Sequence, residues 1–256
     1  MNSFREKLQA KKKLCGLWLG SASAYMAEIS AQSEYDWYLI DGEHAPNTIS
    51  TIAKQLSALD LYGATSIVRI LNKDEALIKQ VLDLGAKNLL IPMVNNADEA
   101  EKLIKSSKYP PLGTRGVGGY IIRATKWGKD KDYLQNANKD NFIILQCESK
   151  EGLDNLEPIL KLDCLDSVFI GPADLSINLG FESMNDDAFK KIWFEALRMI
   201  KSYNKFAGTL ALDVKLAREC FNQGADYIGV AVDVISYLDS LNKNLSNYRN
   251  FEKDNA

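Results

Sequence analysis

The chain has 256 residues, 46% hydrophobic and 25% charged, with 31 basic against 34 acidic side chains and a formal charge of −3. That composition supplies a large core and excludes a disordered chain. The near-balanced charge, with one basic triplet at 11–13, argues against nucleic acid or an anionic membrane as the main partner, and no apolar run reaches the ~18 residues a bilayer span needs.

The N-terminus, MNSFREKLQAKKK, lacks the apolar stretch of a signal peptide. The four cysteines (Cys15, Cys147, Cys164, Cys220) show no CxxC spacing, and most lie in apolar runs. They are expected to be reduced and mostly buried, in a cytoplasmic protein.

Apolar strand-like runs then alternate with amphipathic segments about every thirty residues, the rhythm of repeated βα units. The first run is 14–20 (LCGLWLG), followed by a helix over 22–32. The second, 37–41, ends on Asp41 and enters a Gly-Glu-His-Ala-Pro turn, with a helix over 49–60. The third, 65–70, precedes a helix over 74–84, capped at Asn72 or Asp74 and stopped at Gly85. The fourth, 88–93, precedes a helix over 98–106 and then the loop YPPLGTRGVGG (109–119). A polar helical stretch over 130–138 leads to the fifth strand, 142–147. The sixth, 167–170, runs into GPADLS and a helix over 186–203; the seventh, 205–210, is followed by a helix over 214–223. The eighth, 227–232, precedes a last amphipathic helix over 236–248.

Eight such units without a linker predict an α/β fold, a single (β/α)8 TIM barrel spanning residues 1–256. The absence of GxGxxG and GxxxxGK[ST] excludes the standard dinucleotide and P-loop sites.

In a barrel enzyme, polar residues at the C-terminal strand ends share one mouth. His44, the only histidine, stands just past such an end and suits proton transfer near neutral pH, against the plainer reading of a surface or capping residue. Arg69 ends an otherwise apolar strand, where its fork would hold a carboxylate or enolate oxygen unless it only bridges charges within the barrel. Glu148 and Asp174 follow adjacent strands and make a hard oxygen pair suited to Mg²⁺ or Mn²⁺, with Co²⁺ a further candidate; Asp174 has the alternative of capping the next helix. Lys205 begins its strand, at the wrong end for Schiff-base chemistry. Asp83, near a helix end, reads as a surface residue.

LWLG (17–20), DWYLIDGEHAPN (36–47), VRI (68–70), LLIPMV (89–94), the 109–119 loop, LQCES (145–149), FIGPADLS (169–176) and GADYIGVAVD (224–233) together resemble the metal-dependent pyruvate-type aldolases of the HpcH/HpaI family, over residues 4–248. The resemblance implies a lyase that reversibly cleaves a 4-hydroxy-2-oxo acid, of the 4-hydroxy-2-oxoheptanedioate or 2-dehydro-3-deoxyglucarate type, to pyruvate and an aldehyde in aromatic or sugar acid catabolism. It implies His44 as base, Arg69 as enolate stabiliser and Asp83 as an acid raising the basicity of the histidine. It assigns Gln146, Ala173 and Asp174 to 2-oxo-acid binding and Glu148 with Asp174 to the metal. It further implies a homohexamer in which the last helix packs on a neighbouring subunit. Cys147 and LALD (210–213) depart from the family's usual wording, the latter near where the aldehyde should lie. The rival readings are an acyl-CoA thioester lyase on the same barrel, for which no basic cluster is visible beside the mouth, and a non-catalytic metabolite-binding barrel.

Overall fold

The structure is a computed structural model describing residues 4–10 and 13–254; Lys11 and Lys12 of the basic triplet lie outside the described residues. Among the described residues, eight parallel strands close into a barrel: β1 (Leu14–Leu19), β2 (Trp37–Asp41), β3 (Ser66–Arg69), β4 (Asn88–Ile91), β5 (Phe142–Cys147), β6 (Ser167–Ile170), β7 (Phe206–Leu210) and β8 (Tyr227–Val232). Each strand pairs with its sequence neighbour, and β8 pairs with β1. The barrel fold expected from the strand–helix alternation is therefore the one observed.

Alternation along each strand produces two cores. Inward residues, among them Trp18, Trp37, Leu39, Ile67, Ile144, Phe169 and Tyr227, fill the barrel. Outward ones pack under the helices with Leu56, Leu82, Phe189 and Trp193. Large rings fit inside because glycines face them: Gly16 stands opposite Trp37 and Gly208 opposite Tyr227. A Cβ at either glycine would overlap the facing ring, so the packing requires glycine there.

The helix Phe4–Ala10, which the sequence reading did not identify, closes the end of the barrel where the strands begin. Phe4 meets Trp37, Phe142 and Tyr227 edge-on, with centroids 6.4, 5.3 and 5.2 Å away. Arg5 holds Asp166 at 2.6 Å beside it. With that end plugged, the strand ends opposite are the open mouth.

Helix Glu75–Asp83 has the expected cap, Asp74 accepting from the Ala76 N–H, and Gly85 follows it at φ +97°. Two short helices between β5 and β6, Lys150–Asp154 and Leu156–Leu160, were not anticipated, nor was Pro172–Asn178. The last helix starts at Asp233, directly at the end of β8, and runs to Asp254. Cys147, Cys164 and Cys220 carry free thiols; Cys147 and Cys220 are buried, Cys15 is half-buried and Cys164 is exposed. Among the described residues no helix is long and apolar enough to cross a membrane.

Candidate active site

The floor of the mouth is an arginine held from several sides. Asp41 and Arg69 stand opposite each other in the β2–β3 register, which places their side chains together. Arg69 donates through Nε to Asp41 Oδ1 at 2.9 Å and through Nη2 to Oδ2 at 2.7 Å. Trp18 Nε1 donates to the same carboxylate at 3.0 Å, and its ring lies 4.9 Å from the guanidinium carbon. Burial pushes Asp41 up, but the bonds and charge of Arg69, with Trp18, outweigh it and hold the carboxyl below its ordinary value.

The turn after β2 is built on the same acid. Gly42 N–H donates to Arg69 O at 2.7 Å, an approach too close for a side chain at position 42. Asp41 Oδ1 accepts from the backbone of Glu43 (3.0 Å) and His44 (3.3 Å). Asn47 Nδ2 donates to Asp41 O at 2.7 Å, while its Oδ1 accepts from Thr51 and Gln55 of helix Ile49–Leu61. The turn is thereby fastened to both strand and helix. It presents Glu43 inward, Oε2 2.8 Å from Arg69 Nη1, and leaves the His44 side chain 66% exposed with Nε2 3.9 Å from Glu43 Oε2.

Across the mouth, Glu148 is 2% exposed. Its Oε1 accepts the Met93 N–H at 2.9 Å and its Oε2 the Gln146 amide. Met93 adopts φ +53°, the left-handed region, where it aims that N–H at the carboxylate. Burial, reinforced by Glu43 and Asp174, pushes Glu148 up to about 7 against the pull of the Met93 N–H and Arg69. Asp174 lies exposed in the first turn of Pro172–Asn178, as does Ala173, and its charge acts on both Glu43 and Glu148. Gly171 makes no side-chain cap, and a Cβ there would press on Glu148 and Gln146.

One arginine thus faces Asp41, Glu43, Glu148 and Asp174. That excess of oxygen donors, with Glu148 raised by burial and by the neighbouring carboxylates, fits a divalent cation between Glu148 and Asp174. Among the described residues no group of three or more His, Cys, Asp and Glu side chains is arranged to hold an ion alone. A two-carboxylate set leaves positions for water and a chelating substrate, the pattern of Mg²⁺ sites.

The structure brings His44, Arg69, Gln146, Glu148 and Asp174 to one mouth, and it puts Asp83 elsewhere. Helix Glu75–Asp83 runs back from the mouth, so its last residue lies at the plugged end. There Asp83 accepts from Arg115 at 2.6 Å, and Arg115, 2% exposed, stacks on Tyr109 at 4.4 Å. The glycine- and proline-rich loop 109–119 therefore supplies Asp83 with its cation. Lys205 binds the Leu162 and Leu165 carbonyls where β7 begins, away from the mouth. Glu43 is the residue the sequence reading passed over; its only signal is its place beside the sole histidine.

The sequence profile described as HpcH/HpaI aldolase/citrate lyase matches residues 14–240. A 2-keto-3-deoxy-L-rhamnonate aldolase of Escherichia coli O157:H7 is 44% identical over 249 residues, 97% of this chain and 93% of that protein. One from Salmonella gallinarum is 42% identical over 252 residues, 98% of this chain and 94% of that protein. A crystal structure of an HpcH/HpaI aldolase/citrate lyase family protein from Burkholderia cenocepacia J2315 superposes with a TM-score of 0.92 at 34% identity, covering 97% of this chain and all of that one.

Proposed function

Because the chain belongs to the HpcH/HpaI aldolase/citrate lyase family, we propose that it works as a metal-dependent aldehyde-lyase through the mouth just described. The reaction is reversible cleavage of a 4-hydroxy-2-oxo acid to pyruvate and an aldehyde. A 2-keto-3-deoxy sugar acid is the proposed substrate, with 2-keto-3-deoxy-L-rhamnonate, the substrate named for the relatives, the first to test. Cutting that six-carbon acid between C3 and C4 gives pyruvate and a three-carbon hydroxyaldehyde.

The observation that supports this reading most is the mouth itself: one arginine and one exposed imidazole beside the buried Glu148 carboxylate, whose charge burial disfavours, and the exposed Asp174. His44 removes the C4 hydroxyl proton as general base. As the C3–C4 bond breaks, negative charge moves to the 2-oxo oxygen, and Arg69, fixed by Asp41, stabilises it. Return of a proton to C3 completes pyruvate. Gln146, Ala173 and Asp174 position the 2-oxo acid. Glu148 and Asp174 hold Mg²⁺ or Mn²⁺, which when bound supplies Lewis-acid polarisation of the 2-oxo group.

The assembly belongs to the proposal. The last helix, Asp233–Asp254, leaves Val234, Ile235, Leu238, Leu241, Leu245 and Tyr248 exposed, and a hexamer would cover that apolar surface with neighbouring copies. Asp83, remote from its own His44, then serves the histidine of another copy. Free thiols support the cytoplasmic placement.

The test is pyruvate release from 2-keto-3-deoxy-L-rhamnonate, 2-dehydro-3-deoxyglucarate and 4-hydroxy-2-oxoheptanedioate, first with EDTA and then with each metal restored. Metal-dependent release is the expected result. No release from any of them refutes the reading and turns attention to CoA thioesters.

A further inference from the structure

Arg69 carries two carboxylates where one would balance its charge. Asp41 takes Nε and Nη2 in a well-aligned fork, at 2.9 and 2.7 Å. Glu43 reaches the remaining corner differently. Its Oε2 lies 2.8 Å from Nη1, yet that buried oxygen makes no aligned hydrogen bond to any donor. The same oxygen is 3.9 Å from His44 Nε2.

Burial pushes Glu43 up, with Asp41 and Asp174 adding to it, while Arg69 and His44 draw it down. A half-buried second carboxylate on an arginine already neutralised adds little to stability, because its desolvation offsets its ion contact. Its place is better explained by what surrounds it: the enolate-binding cation on one side and the base on the other.

We propose that Glu43 is a positioning residue that changes partners during catalysis, holding the Nη1 edge of Arg69 until the 2-oxo acid arrives and then turning to the His44 imidazolium. This rests on the aldolase reading. An anionic substrate oxygen can align with Nη1 where Glu43 does not, so it displaces the carboxylate. Glu43 is then a charge without a partner, and the nearest donor is the imidazole. When His44 takes the C4 hydroxyl proton, the imidazolium and Glu43 form a new pair. The proton stays on the imidazole, and no bond to Glu43 is made or broken.

The exchange has a kinetic signature that a merely structural role lacks. Glu43→Ala and Glu43→Gln leave Nη1 freer for substrate, so KM for the 2-oxo acid falls several-fold, as does the Kd for pyruvate measured by calorimetry on the Mg²⁺-loaded protein. The same variants lose the counter-ion that their own chain supplies to the imidazolium, so kcat falls on the order of ten- to a hundred-fold, the range for a hydrogen bond between charged groups. A fall in kcat with a fall in KM marks relief of a ground-state competition. Glu43→Gln keeps the side-chain volume and carries the test if Glu43→Ala does not fold.

Variants whose KM and Kd rise as kcat falls, or Glu43→Gln at wild-type kcat, would overturn the proposal. Wild-type protein is run alongside: absence of pyruvate release there refutes the aldolase reading itself, whereas wild-type turnover isolates any failure to Glu43.

Discussion

Replacing Gly171 by alanine adds one methyl group where the carboxylate pair meets the barrel. Position 171 has φ −85°, so an L-residue suits the backbone and the whole effect is steric. The new Cβ would stand 2.6 Å from Glu148 Oε2 and 2.9 Å from Gln146 Nε2. Ordinary contact begins at 3.4 Å, so the Glu148 oxygen must retreat by about 0.8 Å. It has little room, because its other oxygen is tied to the Met93 N–H at 2.9 Å and the residue is 2% exposed. A misplacement of about 1 Å costs roughly 10²-fold in rate, and overpacking a core costs about 1–3 kcal/mol. Gly171→Ala should lose about a hundredfold in kcat/KM, need more metal for half-saturation, and melt only a few degrees lower. Gly116→Ala, whose Cβ would meet nothing closer than 3.8 Å, is the control. Pyruvate release titrated with Mg²⁺ and thermal melts decide it. Kinetics within threefold of wild type, with unchanged metal demand, would refute the steric argument and the role given to Glu148.

Glu148 should make the metal-free protein pH-sensitive. Its folded value, about 7, lies above the ordinary 4.5, so its contribution is fully present below pH 4.5 and is lost as pH rises through 7. The loss is about 3 kcal/mol, from ~1.4 kcal/mol per pH unit between those values; EDTA-treated wild type should show it in melts between pH 4.5 and 8, and Glu148→Gln should not. His44→Ala should lower kcat by roughly 10²–10⁴-fold while metal binding by calorimetry is retained; unchanged turnover would remove His44 from the mechanism. Arg69→Ala should slow pyruvate α-proton exchange with deuterium oxide together with cleavage, and exchange kept at the wild-type rate would separate Arg69 from the enolate. Leu238→Asp combined with Leu245→Asp should give a smaller species in light scattering with the circular dichroism of wild type, and an unchanged mass would locate the oligomer interface elsewhere.

The barrel was legible because β2 and β5 read as apolar runs ending in an acid or amide and a turn, and helices elsewhere around the barrel carry clear caps, Asp74 after β3 and Asp186 after β6. Lys150–Asp154 and Leu156–Leu160 were not: at five residues each, broken at Asn155, they are too short to show a helical period. His44, Arg69, Glu148 and Asp174 could be found by asking what stands at strand ends. Glu43 could not, because the inward direction of its side chain depends on the close approach of Gly42 to Arg69 O, a tertiary contact. Asp83 read as surface from helix spacing alone, and its partner Arg115 stands 32 positions further along the chain. Its proposed role came only from likeness to other proteins.

The seam between β1 and β8 sets the timetable of the molecule's birth. Asp233 accepts from the backbone of Gly20 at 2.7 Å and of Ser21 at 3.2 Å, and Phe4 rests on Tyr227. At a ribosomal rate of about 5–20 residues per second, the 213 positions separating Gly20 from Asp233 delay that closure by roughly 10–40 s. Until then the nascent chain carries β1 as an outer strand with one edge open, paired with β2 alone, and Trp18 and Leu14 still lack their partners on β8. Translation that stops short of β8 therefore leaves an open, adhesive sheet, and a ribosome-bound chaperone would find its client in that interval.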